Sequence, residues 1–326
     1  MTESQHISVL AKEVLEAFAD MDEPRIIDGT LGLGGHSAML LESIPGAQIL
    51  GIDRDDVALR QAGQRLEPYG DRVLLFRGAF SDMADFAAEA GWDTVDGILL
   101  DVGVSSPQID TAARGFSHRF DGPLDMRMDR RRQETAATIL NTESVEELAD
   151  IFFHYGEERN ARRVARAIVK RREEKPWSRT GEFAELLENV IGRPKHGPPP
   201  ATRCFQALRI AVNDELGELD QALVAAVPLL ATGGRLAVIS FHSLEDRIVK
   251  LFFRHEASAC TCPPDIPVCV CDKVATLRVV TRKPITASPE ECEANRRASS
   301  AKLRVAEKLP TPEETGTTNR RVNTTR

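Results

Sequence analysis

The sequence predicts an α/β protein: a doubly wound parallel sheet interrupted by an inserted all-helical domain. Three observations predict it. Short apolar runs ending in carboxylates alternate with helix-patterned segments through the first third of the chain. A glycine-rich turn joins the first such run to its helix. After residue 110 strand patterns disappear for about 90 residues and then resume.

The first strand is expected at Arg25-Ile-Ile-Asp-Gly-Thr30, running into the glycine turn, with helical spacing over Ser37–Glu42. Gln48-Ile-Leu-Gly-Ile-Asp53 is the second strand, Asp55–Leu66 the next helix, Arg72–Phe76 the third strand and Val95–Asp101 the fourth. From about 110 to 200 only helical patterns occur: Ala136–Leu140, Val145–Phe153, Arg159–Arg172 and Glu182–Ile191. The breaker Gly192-Arg-Pro-Lys-His-Gly-Pro-Pro-Pro200 closes this block. One helix from Cys204 to about Leu230, a fifth strand at Gly233–Ser240 and a late strand at Leu277–Thr281 follow. The expected organisation is therefore a sheet domain over 1-109 and 204-309, a helical substrate-binding insert over 110-203, and a disordered, Thr/Glu/Asn/Arg-rich tail over 310-326.

Composition narrows the function classes. The 42% apolar content supports a core, and no apolar run reaches the length needed to span a bilayer. The opening residues Met1–His6 lack the basic and apolar regions of a signal peptide, which points to the cytoplasm. Six cysteines would stay reduced there. A net charge of −8 excludes a uniformly basic nucleic-acid coat but leaves room for a local basic face. Nothing in the sequence sets the oligomeric state.

In a parallel α/β sheet, ligands bind outside the carboxyl ends of the strands. Asp28-Gly-Thr-Leu-Gly-Leu-Gly-Gly-His36 lies at such an end, and its glycines let backbone approach a ligand closely. The dinucleotide fingerprint nearly fits from Gly32, but its third glycine position holds Ser37. Asp53 follows about 20 residues on, where a carboxylate grips a ribose diol. Two nucleoside cofactors remain open on these residues: a nicotinamide dinucleotide, or S-adenosylmethionine with Asp28 near its amino group and Phe80 on its adenine. The run Asp96-Gly-Ile-Leu-Leu-Asp-Val-Gly-Val-Ser-Ser-Pro-Gln-Ile-Asp110 ends an apolar strand at Asp101 and places Gln108 in the following turn. Ser105 and Ser106 lack an evident His–Asp arrangement, so a hydrolase nucleophile is not expected.

Gly34-Gly-His36, the Asp101–Asp110 run, Gly122-Pro-Leu-Asp-Met-Arg-Met128, Ala201-Thr-Arg-Cys-Phe-Gln-Ala-Leu-Arg-Ile-Ala-Val-Asn-Asp-Glu215 and Ser240-Phe-His-Ser-Leu-Glu-Asp-Arg247 together resemble the MraW (RsmH) family of bacterial 16S rRNA cytosine-N4 methyltransferases. The likeness extends from His6 to Val305. It implies a class I, Rossmann-like S-adenosylmethionine-dependent sheet with a helical insert. It also implies 16S rRNA in the small ribosomal subunit as partner and a decoding-centre cytosine as target. The family's cofactor positions fall on Gly34, Gly35, His36, Asp53, Phe80, Asp101 and Gln108, and Asp101 is the expected catalytic residue. His242 is read as ordering the turn after the fifth strand.

Two further patterns stand out. In Arg159–Arg172, Ala161, Val164, Ala165 and Ile168 form an apolar stripe, while Arg162, Arg166 and Lys170 recur on another side, suited to phosphates. A second basic run covers Arg127–Arg132. Finally, Cys260, Cys262, Cys269 and Cys271 fall within twelve residues. Four thiolates make a tetrahedral zinc site, but C-x-C spacing on extended chain sends alternate side chains to opposite sides, so no metal is assigned.

Overall fold

The structure is a computed structural model that describes residues 8–192, 199–263, 270–312 and 314. Cys269, the centre of the expected 192–200 breaker, most of the expected tail and the first motif residues, His6 and Ile7, lie outside the described residues. The chain forms two compact units, one from the segments up to Val102 and from Glu218 onward, the other Gly103–Gly217.

The first unit carries helix α1 (Ala11–Phe18), strand β1 (Arg25–Asp28), α2 (Gly35–Ser43), β2 (Gln48–Asp53), α3 (Asp56–Leu66), β3 (Val73–Arg77), α4 (Met83–Glu89) and β4 (Val95–Asp101). Its strands form one sheet in the order β3-β2-β1-β4-β5-β7-β6, with β5 at Leu230–Ser240, β6 at Leu277–Val279 and β7 at Lys302–Lys308. The pairs among β1 to β5 are parallel, whereas β7 runs antiparallel to both β5 and β6. This is a doubly wound, Rossmann-like sheet, with one correction to an all-parallel expectation: β7, which the sequence reading does not include among the strands, is antiparallel.

Strand alternation splits the sheet's apolar residues between two layers. Ile27, Leu50 and Leu100 pack on one face against Met83 of α4, while Ile26, Ile49 and Leu99 pack on the other against Phe18, Leu40 and Leu66. Both faces are therefore covered, and the ligand-accessible edge lies at the strand ends. Because β2 and β3 lie to one side of β1, and β4 and β5 to the other, the order reverses between β1 and β4. Their carboxyl ends flank a topological switch point.

The second unit is helical: α5 (Ser106–Asp110), α6 (Ala136–Thr142), α7 (Val145–His154), α8 (Ala161–Arg172), α9 (Thr180–Ile191) and α10 (Pro200–Asn213). Its core centres on Phe183, whose ring lies 5.8 Å from Trp177, 6.2 Å from Phe152 and 5.4 Å from Phe205. The Trp177 indole N–H donates to the Ile168 carbonyl at 3.2 Å, so the polar atom of a buried aromatic is satisfied. The single helix expected from Cys204 to Leu230 is two helices, α10 and α11 (Glu215–Leu229). The break falls at Asp214, in the left-handed conformation with φ 52°, which a short polar side chain tolerates. The remaining helices are α12 (Ser243–Glu256) and α13 (Pro289–Ala294). Among the described residues no helix is long and apolar enough to cross a membrane.

Candidate active site

The glycine turn is built around Asp28 at the end of β1. The buried carboxylate accepts the Ser37 hydroxyl at 2.6 Å and the Thr30 N–H at 3.3 Å. Ser37, the departure from the dinucleotide fingerprint, thus ties the first turn of α2 to the strand end. Gly32 (φ 52°) and Gly34 (φ 70°) occupy the left-handed region, and Gly34 is the residue from which α2 starts. A Cβ on Gly35 would fall 2.3 Å from Ser8 Oγ, so no side chain fits there without movement. Burial pushes the Asp28 carboxyl above its usual range, against the lowering effect of Ser37 and His36.

Asp53 ends β2 beside the turn. One carboxylate oxygen accepts the Gly32 N–H and the other the Asp55 N–H, each at 2.8 Å. A carboxylate oxygen accepts more than one hydrogen bond, so both retain capacity toward a pair of hydroxyls. Burial is the largest influence on this group and raises its pKa to about 6, outweighing the two backbone donors. Phe80 follows β3, partly buried, and packs against the apolar layer that contains Ile27 and Leu100. Its N–H donates to Glu218 Oε1 at 3.0 Å, and Glu218 pairs with Arg54. The Arg54–Glu218 pair is not expected from the sequence. Its members are neighbours only through the fold, and no local pattern marks them.

Asp101 ends β4, with its N–H bonded to Thr30 Oγ1 at 2.5 Å. Asp101 Oδ2 lies 3.5 Å from His36 Nε2. His36 is buried, and among the described residues neither of its ring nitrogens has a hydrogen-bond partner; nor does Asp101 Oδ1. Burial works against the imidazolium, but the facing Asp101 and Asp28 carboxylates outweigh it, and the His36 pKa is raised. Buried polar atoms without partners are rare, and three of them at one strand end mark a place where a polar ligand completes the bonding. Gly34, Gly35, His36, Asp53, Phe80 and Asp101 all lie along this edge of the first unit.

Gln108 belongs to the second unit. Its side-chain carbonyl accepts the Ser105 N–H at 3.1 Å, closing a capping box at the start of α5. His242 is the residue preceding α12: its Nδ1 accepts the Glu245 N–H at 3.4 Å, while Glu245 Oε2 accepts the Phe241 and His242 N–H groups at 2.8 and 3.2 Å. It orders the turn after β5, as expected from the sequence.

The two basic runs use their charges differently. Ala161, Val164, Ala165 and Ile168 of α8 are buried, while Arg162, Arg166 and Lys170 are exposed and make no ion pair among the described residues. In Arg127–Arg132, by contrast, Arg127 is held bidentately by Asp125 and Arg131 by Asp129. Those two charges are partnered within the run, whereas Arg130 and Arg132 make no ion pair among the described residues.

The sequence model of the MraW methylase family matches residues 3–309. Among curated proteins, ribosomal RNA small subunit methyltransferase H of Trichlorobacter lovleyi is 51% identical over 312 residues, covering 95% of this chain and all of its own length. The protein of the same name from Heliobacterium modesticaldum is 52% identical over 308 residues, covering 93% of this chain and 98% of its own. That from Carboxydothermus hydrogenoformans is 49% identical over 308 residues.

Proposed function

Since the chain belongs to the MraW methylase family and is an S-adenosylmethionine-dependent methyltransferase, we propose that it methylates N4 of a decoding-centre cytosine in the 16S rRNA of the small ribosomal subunit, in the cytoplasm. The names of its relatives support the rRNA substrate. The observation that carries the chemistry is Asp101, whose Oδ1 has no partner at the strand end that also holds the unpartnered His36 ring.

The residues present fit the cofactor. Asp53 is a desolvated carboxylate with acceptor capacity for a ribose diol, and the positive φ of Gly32 and Gly34 shapes the turn beside it. Phe80 offers a ring to the adenine, and Gly34, Gly35, His36 and Asp101 complete the first unit's cofactor contacts in this reading. The bound cofactor supplies a methyl group already activated by its sulfonium, so the protein's task is the nucleophile.

The N4 lone pair of cytosine is delocalised into the ring. A carboxylate that accepts an N4–H hydrogen bond favours the pyramidal amine and turns its lone pair toward the methyl donor. Asp101 Oδ1 is the acceptor assigned to that role, while Oδ2 faces His36 Nε2 at 3.5 Å. Positioning of this kind contributes up to about 7–11 kcal/mol to a barrier. A strand-end pocket is reached only by a base outside any stack, so the target cytosine is flipped or single-stranded. The helical unit, read from the sequence as the 110-203 insert, contributes the exposed Arg162, Arg166 and Lys170 to RNA phosphates.

Transfer of tritiated methyl groups to small subunits, compared with free rRNA, with the labelled nucleoside identified, tests this reading. N4-methylcytidine is expected, and label in any other nucleoside overturns it.

A further inference from the structure

The segment between α12 and β6 is held at one end. Glu256, the last residue of α12, takes the Lys273 ammonium at 3.5 Å, and it also bonds the Thr276 hydroxyl. Between them the described residues bury no apolar side chain: Cys260, Thr261, Pro263, Val270 and Val274 are exposed. A stretch that removes so little surface from water needs another source of order.

Three thiols supply the means. Cys260, Cys262 and Cys271 Sγ all lie within 4.8 Å of one another, and Cys260 and Cys271 Sγ are 3.7 Å apart. That is far from a disulfide bond of about 2.05 Å. It matches the edge of a tetrahedron of sulfurs around zinc, where Zn–S bonds of about 2.3 Å put ligand sulfurs about 3.8 Å apart. The C-x-C spacing that argued against convergence is overcome by a bend at Cys262.

A second, independent feature is the backbone. The Cys262 N–H donates to Cys260 Sγ at 3.3 Å, the Thr261 N–H to Cys271 Sγ at 3.3 Å, and the Val270 N–H to Cys262 Sγ at 3.4 Å. Each sulfur therefore accepts at least one peptide N–H. Such donors stabilise thiolate charge and fix the direction of the remaining lone pairs, as partners around a metal's ligands do.

We propose that Cys260, Cys262 and Cys271 form a structural site for a soft divalent cation, zinc by preference, that staples the α12–β6 connection. Binding deprotonates the three thiols and releases their protons, so loading is favoured by rising pH. The site is separate from the strand-end residues and takes no part in methyl transfer. Its role is to hold exposed chain that has no core of its own.

The test uses the full chain, purified under reducing conditions, with Zn2+ and Co2+ as probes. One zinc per chain is expected by elemental mass spectrometry. Replacement by Co2+ should give the intense visible bands of a tetrahedral thiolate complex. The variant Cys260→Ser/Cys262→Ser/Cys271→Ser should lose both while still binding S-adenosylhomocysteine. Wild-type protein that takes up no more metal than this variant overturns the proposal. So does a Co2+ spectrum of weak octahedral type, or a reduced chain that readily forms a Cys260–Cys271 disulfide yet binds no zinc. The Co2+ titration of the wild type stands on its own should the variant fail to fold.

Discussion

Lowering the pH from 7.5 to 5 should weaken binding of S-adenosylhomocysteine about tenfold, because Asp53 must be ionised to accept two ribose hydroxyls. Its pKa of about 6 lies well above the ordinary 3.8, and burial is the cause. If only the carboxylate form binds, the apparent Kd rises little between pH 7.5 and 6.5, about doubles by pH 6, and rises about fivefold more by pH 5. The same shift has a cost to the fold. A group with a raised folded pKa stabilises the native state fully below its unfolded value near 3.8, and this contribution is lost as pH rises through about 6. At pH 7 the difference is on the order of 3 kcal/mol, a burden that a purely structural strand end would shed. Isothermal titration calorimetry in buffers from pH 5 to 8 reads the effect. S-adenosylhomocysteine is the suitable probe because its own amino and carboxyl groups do not titrate between pH 5 and 6.5. Asp53→Asn should bind more weakly at pH 7.5 and lose the acid-side slope. A flat wild-type profile, or the same slope in Asp53→Asn, refutes the assignment of Asp53 to the ribose.

Three further outcomes follow from the geometry. Asp101→Ala should reduce methyl transfer by about 100-fold or more, measured with tritiated cofactor at saturating small subunits; a normal rate refutes its role. His36 has a raised pKa under the influence of Asp101 and Asp28, so its stabilising contribution is fully present below about 6.5 and is lost as pH rises through the raised value. The difference in thermal midpoint between wild type and His36→Gln should therefore shrink from pH 6 to pH 9, and a gap that widens contradicts the ion pair. Arg162→Glu/Arg166→Glu should weaken RNA binding on any sequence and lower the log–log salt slope by about 2. Filter binding at several salt concentrations reads this, and S-adenosylhomocysteine affinity should stay unchanged.

The sheet was legible where chemistry and periodicity agreed. Ile26 and Ile27, or Leu99 and Leu100, are apolar on both faces because both faces are covered, and each run stops at a carboxylate. Strand β7 hid because Lys302 and Arg304 interrupt its apolar pattern; the fold buries Arg304 by pairing it with Asp246 at 2.7 Å. The stripe of α8 was readable from helical spacing alone. The fate of Arg127 and Arg131 was not, since a run of arginines looks the same whether Asp125 and Asp129 hold it or leave it free. At the strand ends, Gly34, Gly35, Asp53 and Asp101 are marked by local sequence. Arg54 and Glu218 meet only after the chain has made a long excursion, and nothing near either residue announces the other.

The most direct test of the central claim is the identity of the methylated nucleoside. Small subunits from cells lacking this activity, incubated with the purified chain and tritiated S-adenosylmethionine, should yield label in N4-methylcytidine at a single decoding-centre position, and Asp101→Ala should slow its formation about 100-fold or more. Label in another nucleoside, or the same product at an undiminished rate from Asp101→Ala, contradicts the assignment of Asp101 to the cytosine amine.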